Sequence, residues 1–446
     1  MTVEDVTRWL AAARWRVRRD LGQSQLEGLL AGAEAALAAT PEPRKRERHK
    51  LIFELALAGT QPDHLLKVVQ HRHASLVTRL GPAGAVTQWK RAESLRARGL
   101  ETPLPVAAGV VRRRGLLDVS LLLLPIVPDA IDVAVLASDA SCPGARRRRL
   151  ARELGLVARE LHDAGIDQQD FAPNNFLWRP NPSPHLLAID FEHARIGRPL
   201  ARRRRAQQLA KLDRHLHAAS AADRLRLLLA YARGDAVEAR GWWHAVASAH
   251  GGLARRDDRH LRRTATRASR RFVPVSQGGW RGWARRGASL EPVLGALART
   301  ADAGPPGCWV QPLGVLGARA AARTWAAALT LAQRGCMPEP RGLLHRDGRG
   351  WLFGDQGPGW RALADVDRDA ARAALVGLCG RLLCYGFEPA ALPAETIRLI
   401  PGPRGGWRAV ALDPRGLRPG RRSRTISARA WSTGLLGSPG PASALR

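Results

Sequence analysis

The sequence predicts an α+β fold in which one half of mixed helices and strands is followed by a degenerate copy of itself. Three observations predict it. Apolar runs of strand length, His64 to Val69 and Leu186 to Ile189, lie among helical segments such as the one from about Arg147, whose Leu150, Leu154, Val157, Ala158 and Leu161 share one face. The stretch Ala85-Val86-Thr87-Gln88-Trp89 through Gly99 recurs as Ala321-Ala322-Arg323-Thr324-Trp325 through Gly335, and each copy runs into a Pro-x-Pro segment. Further on, the helix before Gly165 has a counterpart in Leu375 to Gly386, and Ile189-Asp190-Phe191 has one in Leu412-Asp413-Pro414.

Residues 1–44 are expected to form an N-terminal helical extension. Val6, Trp9 and Leu10, with Arg8, Arg14, Arg16, Arg18 and Arg19, describe a basic helix that packs Trp9 and Trp15 on the next domain or lies on a bilayer surface. Pro41 to Lys50 reads as a linker. The strand around Lys67 stands out because only five of the 71 basic residues are lysine, so arginine serves wherever a generic positive charge is enough. A compact ammonium meets phosphates as a point charge, whereas a guanidinium is planar and bulkier. The alternative is a lysine whose stem snorkels along apolar surface. Leu161-His162-Asp163-Ala164-Gly165 closes the helix from Arg147 and leads to Gln168-Gln169-Asp170-Phe171-Ala172-Pro173-Asn174-Asn175-Phe176-Leu177, which holds two of the chain's three asparagines, Asn181 being the third. Fifteen residues after Asn175 a strand ends in Asp190-Phe191-Glu192.

An acid and an amide in a loop, then a strand ending in a second acid, outline a phosphoryl-transfer site. Such a site needs a carboxylate to orient the attacking hydroxyl, oxygen ligands to hold Mg²⁺ on the phosphates, and a cation on the α/β-phosphates. Asp170 suits the first role, Asn175 and Asp190 the second, and Lys67 the third. Pro173 stiffens the loop between them. Asp, Pro and Asn are also ordinary turn formers, so the loop by itself has a purely structural alternative.

Leu161-His162-x-x-Gly165-Ile166-x-x-x-Asp170-Phe171-x-x-Asn174-Asn175-Phe176-Leu177, followed by Ile189-Asp190-Phe191, resembles the lipopolysaccharide kinases of the Kdo/WaaP type, a bacterial branch of the protein-kinase-like fold. Flanking segments match in order. Gln88 to Leu100 resembles that family's αC helix, Pro103 to Gly109 the entry to its next strand, Leu121 to Pro125 the strand before the hinge, and Arg203 to Asp213 with Asp223 to Tyr231 its helical C-lobe. The resemblance implies a bilobal kinase-like catalytic domain over residues 45–270, with an N-lobe over 45–127 and a C-lobe over 128–270. It implies ATP and Mg²⁺ as cofactors, Asp170 as the catalytic residue, Asn175 and Asp190 at the metal, and Lys67 with Gln88 at the nucleotide. Gln168-Gln169 stands where kinases usually carry His-Arg, and Gln88 where the helix normally offers Glu to the lysine, Glu93 being a substitute on the same helix. No G-x-G-x-x-G lies near Gly59.

Residues 271–420 would then be a degenerate kinase-like domain. Aligning Gly386 with Gly165 puts Ala391 at the place of Asp170 and Thr396 at that of Asn175; no lysine follows Lys211, and only Asp413 remains of the acids. Leu344-His345-Arg346-Asp347 spells the kinase His-Arg-Asp, but it directly follows the Pro-x-Pro segment and has Leu352 five residues after the acid. It reads as a turn, His345 to Gly350, before a strand at Trp351-Leu352-Phe353. An unrelated helical domain is the alternative for this half. Residues 421–446, rich in Ser, Gly, Pro and Arg, are expected to be a disordered basic tail.

A formal net charge of +32 directs the search for partners to polyanions, among them an anionic membrane surface, although part of the excess is a plain arginine bias. Nothing resembles an RNA-recognition or helix-turn-helix signature, so nucleic acid is not an expected partner. Five cysteines without metal spacing fit a reducing cytosol. The first twenty residues lack the apolar core of a signal peptide, and the longest apolar run, Leu116 to Val127, is interrupted by Asp118 and Pro125. The expectation is a cytoplasmic protein, with peripheral contact at the inner face of the cytoplasmic membrane as an option. The favoured reading is an ATP-dependent kinase transferring the γ-phosphoryl group to a sugar hydroxyl, with the lipopolysaccharide inner core or a similar glycan as acceptor through the resemblance. Two alternatives stay open: a kinase-like phosphotransferase acting on a protein or small molecule, and an inactive pseudokinase scaffold that binds polyanions.

Overall fold

The structure, a computed structural model, describes residues 2–419 apart from residues 19, 40–41, 48, 58, 140, 181–185, 217–218, 301–303, 386, 389–391, 403–405 and 416. The expected tail, Asn181, Gly386 and Ala391 lie outside the described residues. The chain mixes helices and sheets in two units, residues 1–137 with 145–208 and residues 138–144 with 209–446.

The first unit begins with α1 (Val3–Ala12), β1 (Arg14–Val17), α2 (Gln23–Ala39), β2 (Lys45–Arg46), β3 (Lys50–Leu55), β4 (His64–Gln70), α3 (Leu76–Leu80), α4 (Gly84–Arg96), β5 (Ala107–Arg113) and β6 (Leu116–Pro125). The strands form one antiparallel sheet in the order β1-β5-β6-β4-β3-β2. Thr2 starts α1 with a capping box to Asp5. Val6, Trp9, Leu10, Leu26 and Leu37 of the first two helices bury one sheet face, including Leu51, Phe53, Leu66, Val68 and Leu121. Because side chains alternate along a strand, Lys67 points from between Leu66 and Val68 to the opposite face, where α4 packs Ala85 and Trp89 on Ala108 and Leu122. Two expectations change here. The N-terminal extension is not wholly helical, since Trp15 lies in β1 opposite Gly109, whose missing side chain leaves room for the indole. The segment read as a linker contains β2 and the start of β3, because Lys45 and Lys50 pair with Ile52 and Val69 across the sheet.

The unit continues through β7 (Ile131–Asp132), α5 (Val133–Ser138), α6 (Gly144–Asp163), β8 (Ile166–Gln168), a 3₁₀ turn at Pro173–Asn175, β9 (Phe176–Trp178), β10 (Leu186–Ala188), β11 (Ala194–Ile196) and α7 (Arg202–Asp213). Small sheets β10-β9-β7 and β11-β8 hold the intervening loops. α6 buries the face read from the sequence, Leu150 through Leu161, together with His162. Gly165 turns the chain from α6 into β8 with φ of +76°, and a Cβ there would stand 2.2 Å from the carbonyl oxygen of Gly197.

The second unit contains α8 (Ala221–Tyr231), α9 (Ala236–Thr264), β12 (Phe272–Gln277), β13 (Trp280–Arg285), α10 (Glu291–Arg299), β14 (Cys308–Val315), α11 (Ala318–Ala332), β15 (Pro340–Arg346), β16 (Arg349–Asp355), β17 (Arg361–Ala362), α12 (Arg368–Cys384), β18 (Phe387–Glu388), β19 (Ile397–Pro401), β20 (Trp407–Ala411) and β21 (Arg418–Pro419). Its sheets run β12-β13-β15-β16-β14, β17-β19-β20 and β18-β21. Trp325 and Leu329 of α11 and Leu375, Leu378 and Leu382 of α12 lie in its main core. The hairpin read from the sequence is present but its turn is tighter than His345 to Gly350: His345 and Arg346 pair with Gly350 and Arg349 across β15 and β16, leaving Asp347 and Gly348, both at positive φ, as the turn.

The two units share an order of elements. The β14-β16-β15 ribbon, with α11 between β14 and β15, parallels β4-β6-β5 with α4 between β4 and β5; β17-β19-β20 and β18-β21 parallel β7-β9-β10 and β8-β11. The outer strands differ: β3 and β2 extend the β4 edge, whereas β13 and β12 extend the β15 edge. Among the described residues no helix is long and apolar enough to cross a membrane. Gly165→Ala is expected to destabilise the first unit by about 2 kcal/mol or more, from a left-handed backbone and a clash with fixed main chain. Chemical denaturation will measure it, and a loss within about 0.5 kcal/mol, the range of an ordinary surface substitution, would contradict this close approach.

Candidate active site

Lys67 sits on β4, flanked on both sides by strands, and is only 7% exposed. An ammonium so placed needs partners, since an unpaired buried charge is costly. It has three: Gln88 Oε1 of α4 at 3.1 Å, Asp190 Oδ1 at 3.3 Å and Glu192 Oε2 at 2.6 Å. Burial pulls the Lys67 pKa down, but the two carboxylates outweigh it and hold the group above its ordinary value. Asp190 responds in the opposite sense: burial raises its pKa, while Lys67, then Lys50, bring it below the usual carboxylate range.

The loop holding Asp190 is fastened from below. Asp190 has a left-handed backbone, φ +56°, a conformation that costs a non-glycine residue free energy and persists where its surroundings enforce it. Gln168 Nε2 donates to the carbonyl oxygens of Ile189 and Asp190 at 3.3 and 3.2 Å. The glutamine found where kinases usually carry His therefore braces the Asp190 loop. Asn175 accepts the Ile189 N–H on its main-chain oxygen at 2.9 Å, and its Nδ2 donates to the Asp170 carbonyl at 2.6 Å, which ties both ends of the Asp170–Asn175 loop to the strand before Asp190. The Asp170 side chain is exposed. Phe171 anchors the loop against His162, ring centroids 5.3 Å apart, and edge-on against Phe176.

Lys67, Gln88 and Asp190 thus meet directly, while Asp170 and Asn175 join them through the main chain. Sequence reasoning missed three contributors. Glu192 supplies the carboxylate closest to Lys67, whereas Glu93, the substitute considered on α4, is half exposed and pairs with Arg16 at 3.9 Å. The other Glu192 oxygen stands 3.0 Å from where a Cβ on Gly84 would be, at the first turn of α4, which has no side-chain cap and whose dipole favours an anion. Arg91 of α4 donates to the carbonyl oxygens of Phe191 and Glu192, locking helix to loop. Lys50 lies on the same sheet face as Lys67. The only signal for Glu192 was its place after Asp190-Phe191.

The donors present suit Mg²⁺. Asn175 engages its amide nitrogen and keeps Oδ1, and Asp190 meets Lys67 through Oδ1 and keeps Oδ2. Among the described residues no three His, Cys, Asp or Glu converge, so a hard cation here would complete its shell with phosphate and water oxygens, as Mg²⁺ commonly does.

The family model described as "Lipopolysaccharide kinase (Kdo/WaaP) family" matches residues 59–231. The likeness to that family therefore covers this part of the chain. Lys67, Gln88, Asp170, Asn175, Asp190 and Glu192 all fall inside the matched segment, and Lys50 lies before it. The chain is also similar to a solved structure described as "WaaP in complex with acyl carrier protein", at 19% identity and a TM-score of 0.40, covering 55% of this chain and 97% of that one. No curated protein matches the chain.

His162 gives a test of the loop's support. Burial, opposed by a hydrogen bond with Gln208, pushes its pKa from 6.5 down to about 3. The unfolded chain therefore takes up this proton first, so the stabilisation is complete above about pH 6.5 and is lost as pH falls toward 3. Thermal unfolding should show a shallower loss of Tm between neutral and mildly acidic pH in His162→Gln than in the parent; equal slopes would refute the assignment.

Proposed function

We propose that the chain is an ATP- and Mg²⁺-dependent kinase that phosphorylates a sugar hydroxyl, with the inner core of lipopolysaccharide or a similar glycan as acceptor. The observation that carries this reading is the meeting of Lys67 with Asp190 and Glu192, 123 and 125 positions away in sequence, inside the segment matched by a lipopolysaccharide kinase family. Lys67, held by Gln88 and Glu192, would contact the α/β-phosphates. Asn175 Oδ1 and Asp190 would hold Mg²⁺, which when bound neutralises charge on the phosphates. Asp170, exposed at the head of its loop, would orient the sugar hydroxyl and accept its proton. The rate gain would come from positioning and charge neutralisation. The strongly basic surface favours an anionic acceptor and work at an anionic membrane face.

The same reading takes residues 271–420 as a copy that has lost the chemistry. The shared element order supports it, as does the repeated main-chain bond from Leu412 N to Thr396 O, the counterpart of Ile189 N to Asn175 O. β14 carries no cation, and Asp413 is held by Arg415, both of its oxygens lying within 3.0 Å of that guanidinium.

Calorimetry on the full chain tests both halves. One Mg-ATP should bind per chain; a second site of similar affinity would contradict the degenerate-copy reading. Lys67→Ala should weaken binding about tenfold or more. Asp170→Ala should bind Mg-ATP normally yet lower transfer to dephosphorylated lipopolysaccharide core by about a hundredfold or more. Undiminished transfer in Asp170→Ala would refute its role, and transfer to neither glycan nor any other hydroxyl would favour a polyanion-binding scaffold.

A further inference from the structure

The hairpin of β2 and β3 lies next to the lysine strand, where kinases place a glycine-rich loop whose main chain covers the phosphates. Here residues 44–50 contain no glycine, and the turn is closed by main-chain bonds between Glu47 and Lys50. They contain two of the five lysines instead. The sheet register settles where these point. Lys45 is opposite Ile52, which is opposite Lys67, so all three share a face. Lys50 is opposite Val69, two residues from Lys67, which makes Lys50 and Lys67 diagonal neighbours with Cα atoms about 7–8 Å apart. Leu51, Phe53 and Leu55, the alternating residues of β3, are buried in the core on the other face. Three of five lysines in an arginine-dominated chain thus lie on one face of one sheet.

We infer that Lys50 is a second phosphate-binding cation of the nucleotide site, supplying from β3 the positive potential that a glycine-rich loop supplies through its main chain. The inference rests on the nucleotide reading above. Charge balance points the same way. Asp190 and Glu192 exceed Lys67 by one negative charge; Arg91 offsets it from the main chain of Phe191 and Glu192, and Lys50 adds a positive charge beside Lys67 on the sheet face that a triphosphate would meet. Lys45 is a weaker candidate, being exposed and already paired with Glu47 at 2.8 Å. Lys50 is half-buried; burial and then Lys67 lower its pKa, with Asp190 and Glu192 opposing, which marks it as electrostatically part of the cluster.

The test is calorimetric titration of the full chain with Mg-ATP and, separately, with adenosine, which has no phosphate. Lys50→Met keeps the aliphatic stem on the sheet and removes the charge. Mg-ATP affinity should fall about tenfold in this variant while adenosine affinity stays put, and Lys50→Arg should restore most of the loss. Parent-like Mg-ATP affinity in Lys50→Met, with weakened binding in Lys67→Ala, would overturn the inference and leave the nucleotide site standing. An equal loss of adenosine binding would mark a structural role and also overturn it. No heat with the parent chain would remove both readings.

Discussion

A single buried ammonium organises the first unit. Lys67 is carried to the centre of a sheet by a strand that could as easily have been wholly apolar, and its charge must be matched there. The match comes from a loop more than a hundred residues downstream, which is possible only because β8, β9 and β10 with the Asn175 main chain bring Asp190 and Glu192 beneath the sheet. Removing one partner of such a cluster leaves the others uncompensated, so the helix, the strand and the loop are energetically one object. Arg91 and the first turn of α4 add to the same lock.

That arrangement replaces one familiar kinase contact with another. Gln88 stands where an acid would normally pair with the lysine, and a neutral amide cannot balance an ammonium. Glu192 does so from the loop. Arg91 ties α4 to the main chain of Phe191 and Glu192, beside the packing of Ala85 and Trp89 on the sheet and the Gln88–Lys67 bond. Gln168 makes a similar exchange, bracing the Asp190 turn with an amide where an imidazole is usual. Both glutamines thus make contacts of their own in the fold.

Much of this was legible because it is local. The apolar face of α6, the acid and amide five residues apart, the strand just before Asp190 and the hairpin around Asp347 each follow from spacing within a short window. What escaped was long-range or disguised. The orientation of Glu192 depends on a left-handed backbone at Asp190, which no pattern of neighbours announces. β2 and the start of β3 are so rich in charge that they read as a linker, although every second residue of β3 is apolar and buried. β1 was hidden by its arginines, one of which, Arg16, lies over the Trp89 ring and pairs with Glu93 of α4, while the backbone pairs with β5.

The N-terminal helices bear on where this domain can be cut. The segment matched by the family model starts at residue 59, in the loop before β4, yet the apolar back of the sheet is covered by Val6, Trp9, Leu10, Leu26 and Leu37, and its outer edge by β1. A fragment trimmed to the matched segment would lose three strands, uncover that apolar face and leave the backbone donors and acceptors of β5 open to pairing with another molecule, the situation that leads sheets to self-associate. The segment matched by the family model and the stretch of chain that completes its sheet are therefore of different lengths, the second including residues before 59.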